Sequence, residues 1–237
     1  MQNMFRFFLF SIVVVLTTSC DDNVTLFGEE TAEVSDSLID TESSEIVDLT
    51  KSSLPDKLLA AAVTVIVYDK ENNPLQFGSG VFVKPNIIAT NFHVIQGGVF
   101  FRIKQNSNKK IIDAEIYKFD DMHDVALLKI EQSFPNSVLE LKNKFPAVGI
   151  DIMVAGSPEG LTGTLSKGIV SAIRKYPPYD YDLIQISAPI SQGSSGGPVV
   201  NMAGEIIGIS VSVINQDNAQ NLNFAVPAKY LKFLLTE

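Results

Sequence analysis

Residues 183–213 read LIQISAPISQGSSGGPVVNMAGEIIGISVSV, and the pattern in this stretch indicates the class of fold. Three short runs rich in Ile, Leu and Val, at Leu183–Ser187, Pro198–Val200 and Ile206–Val213, are typical of buried strands. A loop of glycine and serine separates the first two runs. Short strands divided by turn residues predict β structure in this part of the chain.

The same pattern extends outward in both directions and predicts an all-β protein. Nine further runs are predicted strands: Val63–Tyr68, Gly80–Val83, Asn86–Thr90, Val99–Lys104, Ile111–Phe119, Val125–Ile130, Asp151–Ala155, Leu165–Ile173 and Leu222–Val226. A polar break that contains Pro135 and Pro146 divides the strands into two sets of six. We expect two six-stranded antiparallel β-barrels and a short C-terminal helix over Pro227–Leu235. Periodicity alone leaves a single β-sandwich open as the alternative.

Composition limits the classes of partner. The chain has 237 residues, of which 46% are hydrophobic, so it can bury a sizeable core. Its formal net charge of −9 comes from 27 acidic and 18 basic residues. Ten of the acidic residues lie between Asp21 and Leu54, so residues 55–237 carry 17 acidic against 16 basic residues. This nearly neutral part has no basic patch, and we expect no nucleic-acid partner.

The N-terminus has the pattern of a targeting signal. Arg6 precedes the apolar run Phe7–Leu16, which is too short for a comfortable transmembrane helix. Small residues follow, and then Cys20, the only cysteine of the chain. This arrangement resembles the signal of bacterial lipoproteins, in which the cysteine is lipidated and anchors the protein to a membrane. An ordinary secretory signal cleaved near Ser19 is the alternative.

These patterns predict three segments. Residues 1–19 are expected to be a lipoprotein-type signal peptide, and residues 20–54 a lipidated cysteine followed by an acidic, disordered tether. Residues 55–237 are expected to form the globular domain, with barrel one over about 55–145 and barrel two over about 146–237. The protein would then lie in the bacterial cell envelope, facing the periplasm or the cell exterior.

Three local motifs carry candidate chemistry. They are Ala89–Val94 with His93, His123–Leu128 with Asp124, and Gln192–Pro198 with Ser195. A serine hydroxyl needs a base that removes its proton during attack, and an imidazole is suited to that role near neutral pH. A carboxylate on the far side of the ring orients it and stabilises its charged form. With Gly193 two positions before Ser195, we expect the N–H groups of these two residues to form an oxyanion hole.

Together these motifs resemble those of the HtrA (Deg) family of trypsin-like serine proteases. Gly78-Ser79-Gly80-Val81, Ala155-Gly156-Ser157-Pro158, Gly168-Ile169-Val170-Ser171 and Asn223-Phe224-Ala225-Val226-Pro227 extend the resemblance over roughly residues 59–230. It implies a serine endopeptidase that acts on unfolded or exposed protein segments in envelope quality control. His93 would be the general base, Asp124 its orienting carboxylate and Ser195 the nucleophile, in a cleft between the barrels.

The sequence leaves alternatives open for the nucleophile and for the function. Ser194 is a less favoured nucleophile than Ser195, and His123 is interpreted as a surface neighbour of Asp124. We expect no metal and no cofactor, since no cluster has the composition of a metal site and two histidines and one cysteine leave little to bind zinc. A catalytically silent module that binds peptides in the same cleft, and an oxyanion loop ordered only by a ligand, are the other functional hypotheses.

The resemblance also has a limit near the C-terminus. The family usually continues into a peptide-binding PDZ domain, whereas only eleven residues follow Val226 in this sequence. We therefore expect a protease domain without a PDZ domain. The oligomeric state of the family is not carried over, and the sequence leaves it open.

The resemblance predicts specificity for small or medium aliphatic side chains before the scissile bond. In this fold the pocket is lined by residues just before the nucleophile and by a following strand, here Ala188–Gln192 and Ile209–Val213. Neither stretch contains an acidic residue that could pair with a basic side chain. Cleavage of a peptide library should show the preference, and a profile dominated by Lys or Arg would contradict it.

Overall fold

The two sets of strands form two closed barrels. The computed structural model describes residues 52–106, 110–157, 163–175, 180–211 and 222–236. Barrel one comprises β1 (Ala62–Tyr68), β2 (Pro74–Lys84), β3 (Ile87–Thr90), β4 (Phe100–Gln105), β5 (Ile111–Asp120) and β6 (Val125–Lys129). Its strands are hydrogen-bonded in the order β1-β2-β3-β6-β5-β4. Barrel two comprises β7 (Asp151–Gly156), β8 (Thr164–Lys175), β9 (Asp182–Ile186), β10 (Pro198–Asn201), β11 (Ile206–Val211) and β12 (Asn223–Pro227). Its strands are hydrogen-bonded in the order β10-β11-β12-β9-β8-β7. Neighbouring strands within each barrel are antiparallel, and both barrels are closed. The predicted fold is therefore confirmed, and the sandwich alternative is wrong.

The interior of each barrel is filled by alternate residues of its strands. Val63, Val65 and Val67 occupy every second position of β1 and belong to the core of barrel one. Ile152 and Val154 on β7 do the same in barrel two. This alternation follows from the twofold period of a strand, which turns successive side chains to opposite faces.

A third core lies between the barrels. It combines side chains of both barrels with side chains of the helices α1 (Leu54–Ala61) and α3 (Ala228–Thr236). Val81 and Leu127 come from barrel one, Ile209 and Phe224 from barrel two, and all four are almost completely buried. Strands that contribute to it are buried on two faces and therefore read as continuous apolar runs.

Three local elements differ from the sequence-based expectation. The helix α1 was not predicted, although Ser53 and Asp56 form a capping box at its start. The strand β2 begins at Pro74 instead of the predicted Gly80. Its first four residues are exposed and lie outside the Val- and Ile-rich runs from which the strands were predicted. A short helix, α2 (Phe92–Ile95), interrupts the chain after β3. The C-terminal helix was predicted within one residue at each end.

The connection between the barrels runs beside β11. The backbone N–H of Lys142 donates to the Ile206 carbonyl at 2.8 Å, and that of Ile206 donates to the Glu140 carbonyl at 2.7 Å. The Lys142 ammonium also lies 2.6 Å from Glu205. Hydrogen bonds from the side chains of Lys142 and then Asn201 lower the pKa of Glu205 below its ordinary value. The connection is thus tied to barrel two after it leaves barrel one.

The predicted signal peptide and Cys20 lie outside the described residues. So does the predicted tether, apart from its last residues, where Ser53 caps α1. Of the helices in the described ranges, none has the length and apolar character needed to span a membrane.

Candidate active site

His93 and Asp124 form a close pair on barrel one. His93 is the second residue of α2, and Asp124 ends the turn between β5 and β6. The imidazole Nδ1 lies 2.8 Å from Oδ2 and 3.0 Å from Oδ1 of the carboxylate, and the His93 backbone N–H donates to Oδ1 at 2.9 Å. The Asp124 side chain is 7% exposed and the His93 side chain 41% exposed. A buried carboxylate therefore orients an accessible imidazole and leaves Nε2 on the opposite side of the ring.

Asn91 and Gln76 hold the two elements that carry this pair. Asn91 is fully buried, and its amide donates to the backbone carbonyl of Asp124 at 2.9 Å. The Gln76 amide lies 3.2 Å from the His93 carbonyl and 2.9 Å from the Val94 carbonyl, at the end of α2. Both side chains thus satisfy backbone groups that the short helix and the turn leave unpaired. Asn91 belongs to the quoted histidine motif, but the sequence suggested no role for Gln76.

Ser195 lies in a loop whose conformation depends on glycine. Gly193 and Gly196 have φ values of +90° and +87°, which side chains other than glycine rarely adopt. A Cβ atom on Gly196 would also lie 2.2 Å from the Ser79 carbonyl oxygen, so only glycine fits there. Ser195 itself is 6% exposed. The loop therefore presents its serine at the surface of barrel two that adjoins barrel one.

The carbonyl groups of the loop are fixed by hydrogen bonds. Ser79 N–H donates to the Ser195 carbonyl at 2.7 Å, and the Ser79 hydroxyl donates to the Gly193 carbonyl at 2.8 Å. The Ser210 hydroxyl donates to the Ser194 carbonyl at 2.6 Å. In a trans peptide the N–H is opposite the C=O, so this last bond directs the Ser195 N–H away from Ser210. That orientation suits one of the two proposed oxyanion donors.

The neighbouring Ser194 hydroxyl lies in a different environment. It accepts a long hydrogen bond of 3.4 Å from the Ser191 N–H. A Cβ atom on Gly156 would lie 3.1 Å from it, which places this hydroxyl against the end of β7 inside barrel two. Ser194 therefore packs into its own barrel, and the geometry favours Ser195 as the candidate nucleophile.

The described part of the predicted specificity pocket contains no acidic side chain, and two of its apolar residues contact barrel two. Ala188 is fully buried, and its carbonyl accepts a hydrogen bond of 3.0 Å from the Asn223 amide. Ile190 packs against the core of barrel two. Val213 of the predicted lining lies outside the described residues. Elsewhere in the described ranges, no group of three His, Cys, Asp or Glu side chains is placed to hold a metal ion.

His123 is not the simple surface neighbour that the sequence suggested. Its side chain is 26% exposed, its Nδ1 lies 2.6 Å from the Asp120 carboxylate, and its ring stacks on Tyr230. The sequence could not reveal this, because Tyr230 is more than a hundred positions away along the chain.

The chain has two antiparallel barrels, a histidine–aspartate pair on one of them and a serine in a glycine loop of the other. These features define the chymotrypsin-like class of serine peptidase folds. Residues 78–209 match the family model of the trypsin-like peptidase domain. The chain belongs to this family, and its similarity to HtrA-type proteases confirms the predicted resemblance.

Several relatives illustrate the similarity. The anti-sigma-I factor RsgI9 of Acetivibrio thermocellus is 32% identical over 203 residues, which cover 84% of this chain and 28% of that protein. The serine endoprotease DegS of Haemophilus influenzae is 34% identical and covers 71% of this chain and 55% of its own length. The serine endoprotease from Yersinia pestis superposes with a TM-score of 0.67 at 28% identity, covering 77% of this chain and 64% of that one. The chain thus spans about a quarter to a half of the length of these curated relatives.

Ser79→Ala tests the link between barrel one and the nucleophile loop. The substitution leaves the buried Gly193 carbonyl and the Ser157 N–H, which donates to the Ser79 hydroxyl at 2.9 Å, without that partner. We expect the free energy of unfolding in urea to fall by about 2 kcal/mol, since unsatisfied buried polar groups cost about 1–3 kcal/mol each. Ser133→Ala, at an exposed position in the connection between the barrels, is the control. Equal stability of the two variants would contradict a structural role of the Ser79 hydroxyl.

Proposed function

We propose that this protein is a serine endopeptidase that hydrolyses peptide bonds through an acyl-enzyme on Ser195. The observation that carries the proposal is the short bond between the buried Asp124 carboxylate and His93 Nδ1, on the barrel to which the Ser195 loop is tied through Ser79. A carboxylate bonded to Nδ1 keeps the proton on that nitrogen and leaves Nε2 as the base. This is the arrangement that activates a serine hydroxyl.

In the proposed reaction His93 Nε2 accepts the hydroxyl proton as Ser195 Oγ attacks the scissile carbonyl carbon. The N–H groups of Gly193 and Ser195 stabilise the oxyanion that forms. The intermediate collapses by breaking the C–N bond, and His93 returns the proton to the leaving amine. Water then hydrolyses the acyl-enzyme by the same two steps, with His93 again as base. No cofactor enters this scheme.

The proposed substrates are unfolded or exposed segments of proteins in the bacterial cell envelope. Relatives in Rhizobium meliloti and Pseudomonas savastanoi are named probable periplasmic serine endoproteases, at 32% and 36% identity. The targeting pattern before Cys20 is consistent with the same compartment. We further propose that Cys20 carries a lipid anchor and that the acidic segment after it separates the peptidase domain from the membrane.

A second candidate function is a regulatory module that binds peptides without cleaving them. The observation in its favour is the similarity to a protein named as an anti-sigma factor, which extends over 84% of this chain. A cleft that binds an extended peptide by strand addition would serve this function without catalysis. The presence of His93, Asp124 and Ser195 together favours the peptidase.

Labelling with a fluorophosphonate probe tests the proposed nucleophile. The probe phosphonylates a serine whose hydroxyl is activated by a neighbouring base, so we expect a single adduct on Ser195 of the purified chain. Ser195→Ala should abolish the adduct, and His93→Ala should slow its formation strongly. Ser194→Ala is the matched control and should retain labelling, because that hydroxyl lies inside barrel two. A folded chain that is never labelled, with or without added unfolded protein, would favour the binding module.

Metabolic labelling with a fatty-acid analogue tests the anchor independently. In a bacterial host the full chain should incorporate the analogue and sediment with membranes, whereas Cys20→Ser should do neither. Peptidase activity of the two forms should be equal, since the acidic segment separates the two functions. Secretion of an unlabelled, soluble protein that begins near Cys20 would instead support an ordinary cleaved signal.

A further inference from the structure

Hydrogen bonds between Asp120 and His123 close the turn that presents Asp124. It joins β5 to β6, and His123 lies directly before Asp124. The Asp120 carboxylate accepts the His123 backbone N–H at 3.2 Å through Oδ1, and its Oδ2 lies 2.6 Å from Nδ1 of the same histidine. By contrast, the Asp124 N–H reaches the Asp121 carbonyl only at 3.4 Å. The shortest hydrogen bond within the turn therefore joins His123 to the Asp120 carboxylate.

Two tyrosines from outside barrel one hold His123 from the other side. The ring of Tyr230, on α3, stacks on the imidazole with a centroid distance of 4.0 Å and an angle of 19°. Tyr181, directly before β9, donates its hydroxyl to the His123 carbonyl at 2.8 Å. The two tyrosine rings also contact each other edge to face at 5.2 Å. The residue before Asp124 is thus enclosed by barrel two and the C-terminal helix.

Asp124 needs such support because of its backbone conformation. Its φ is +53°, in the left-handed region that is uncommon for residues other than glycine, although aspartate adopts it more readily than most. A residue in this region keeps its conformation only where its surroundings determine it. The bond from Asn91 fixes the carbonyl side of Asp124, and the packing of His123 fixes its amide side. These contacts hold the backbone from which the carboxylate extends toward the N–H and Nδ1 of His93.

We propose that His123 is a positioning residue for Asp124, and that Tyr230 and Tyr181 act through it. In this arrangement α3 and barrel two set the direction of a carboxylate that belongs to barrel one. The inference rests on the proposed function, since it assigns His123 a role toward the proposed catalytic pair. Loss of the support should turn the Asp124 carboxylate away from His93 Nδ1 without affecting the pocket that binds the substrate.

Three variants of the full chain test this coupling. Tyr230→Leu removes the stacked ring while retaining apolar volume, and Tyr230→Phe restores the ring. Tyr181→Phe removes only the hydroxyl that holds the His123 carbonyl. Phe233→Leu, on the same helix but 60% exposed, is the control and should behave as the native chain.

The first readout is peptide hydrolysis. We expect Tyr230→Leu to lower kcat by about 10-fold with KM unchanged, because small misplacements of a catalytic group can cost up to about 100-fold. Tyr230→Phe should recover the native kcat, and Tyr181→Phe should show a smaller loss than Tyr230→Leu. A purely structural role would change the unfolding temperature but not kcat.

The second readout is the magnetic resonance of His93. The chain contains two histidines, so a chain labelled with ¹⁵N-histidine gives two imidazole systems, and the system that His93→Ala removes belongs to His93. The Nδ1 proton shared with Asp124 should be deshielded in the native chain, and should shift or exchange faster in Tyr230→Leu and Tyr181→Phe. This signal does not require turnover.

The outcomes separate the two proposals. A native chain without activity or probe labelling would overturn the proposed function, while the His93 resonance would still decide whether His123 positions Asp124. Folded Tyr230→Leu and Tyr181→Phe chains with native kcat and a native His93 signal would overturn the inference. Should Tyr230→Leu fail to fold, Tyr181→Phe decides alone, since it deletes a single hydroxyl.

Discussion

The hydrogen bonds of Ser79 tie the candidate active site together, because this one buried residue joins β2 of barrel one to the nucleophile loop of barrel two. Its N–H and its hydroxyl donate to the carbonyls of Ser195 and Gly193, and its own carbonyl accepts the Thr90 hydroxyl at 2.7 Å. Thr90 ends the strand that leads to His93. The histidine and serine elements are therefore linked by a short covalent and hydrogen-bonded path, in addition to the apolar core between the barrels.

This link explains why small residues surround it on both barrels. A Cβ atom on Gly78 would lie 2.7 Å from the Val94 side chain and 3.1 Å from the Ser195 carbonyl, and one on Gly80 would lie 2.7 Å from the Ile88 side chain. Gly196 approaches the Ser79 carbonyl in the same way from the other barrel. A serine is needed at position 79 because its hydroxyl bridges two buried polar groups, which would be costly to leave unpaired.

The sequence predicted the features that depend on local pattern and not those that depend on distant contacts. The β-barrel strands were predictable because buried strands favour Val and Ile in short runs, and α3 because Pro227 precedes good helix formers. The first residues of β2 were missed, since they are exposed and lie outside the runs rich in Val and Ile. Ser79 was part of a quoted motif, yet its role arises from Gly193, which lies 114 positions later. The stacking of His123 on Tyr230 likewise has no local signal.

Support for the candidate site runs in both directions between the barrels. Barrel one holds the Ser195 loop through Ser79, while barrel two and α3 contact the Asp124 turn through Tyr181 and Tyr230. The left-handed backbone of Asp124 is uncommon among residues other than glycine, although aspartate adopts it more readily than most, and these outside contacts support the turn that carries it. Neither barrel alone contains all the contacts that orient its own part of the site. The proposed catalytic geometry therefore depends on the contact between the barrels, and a change that loosens this contact would disturb the nucleophile and the carboxylate together.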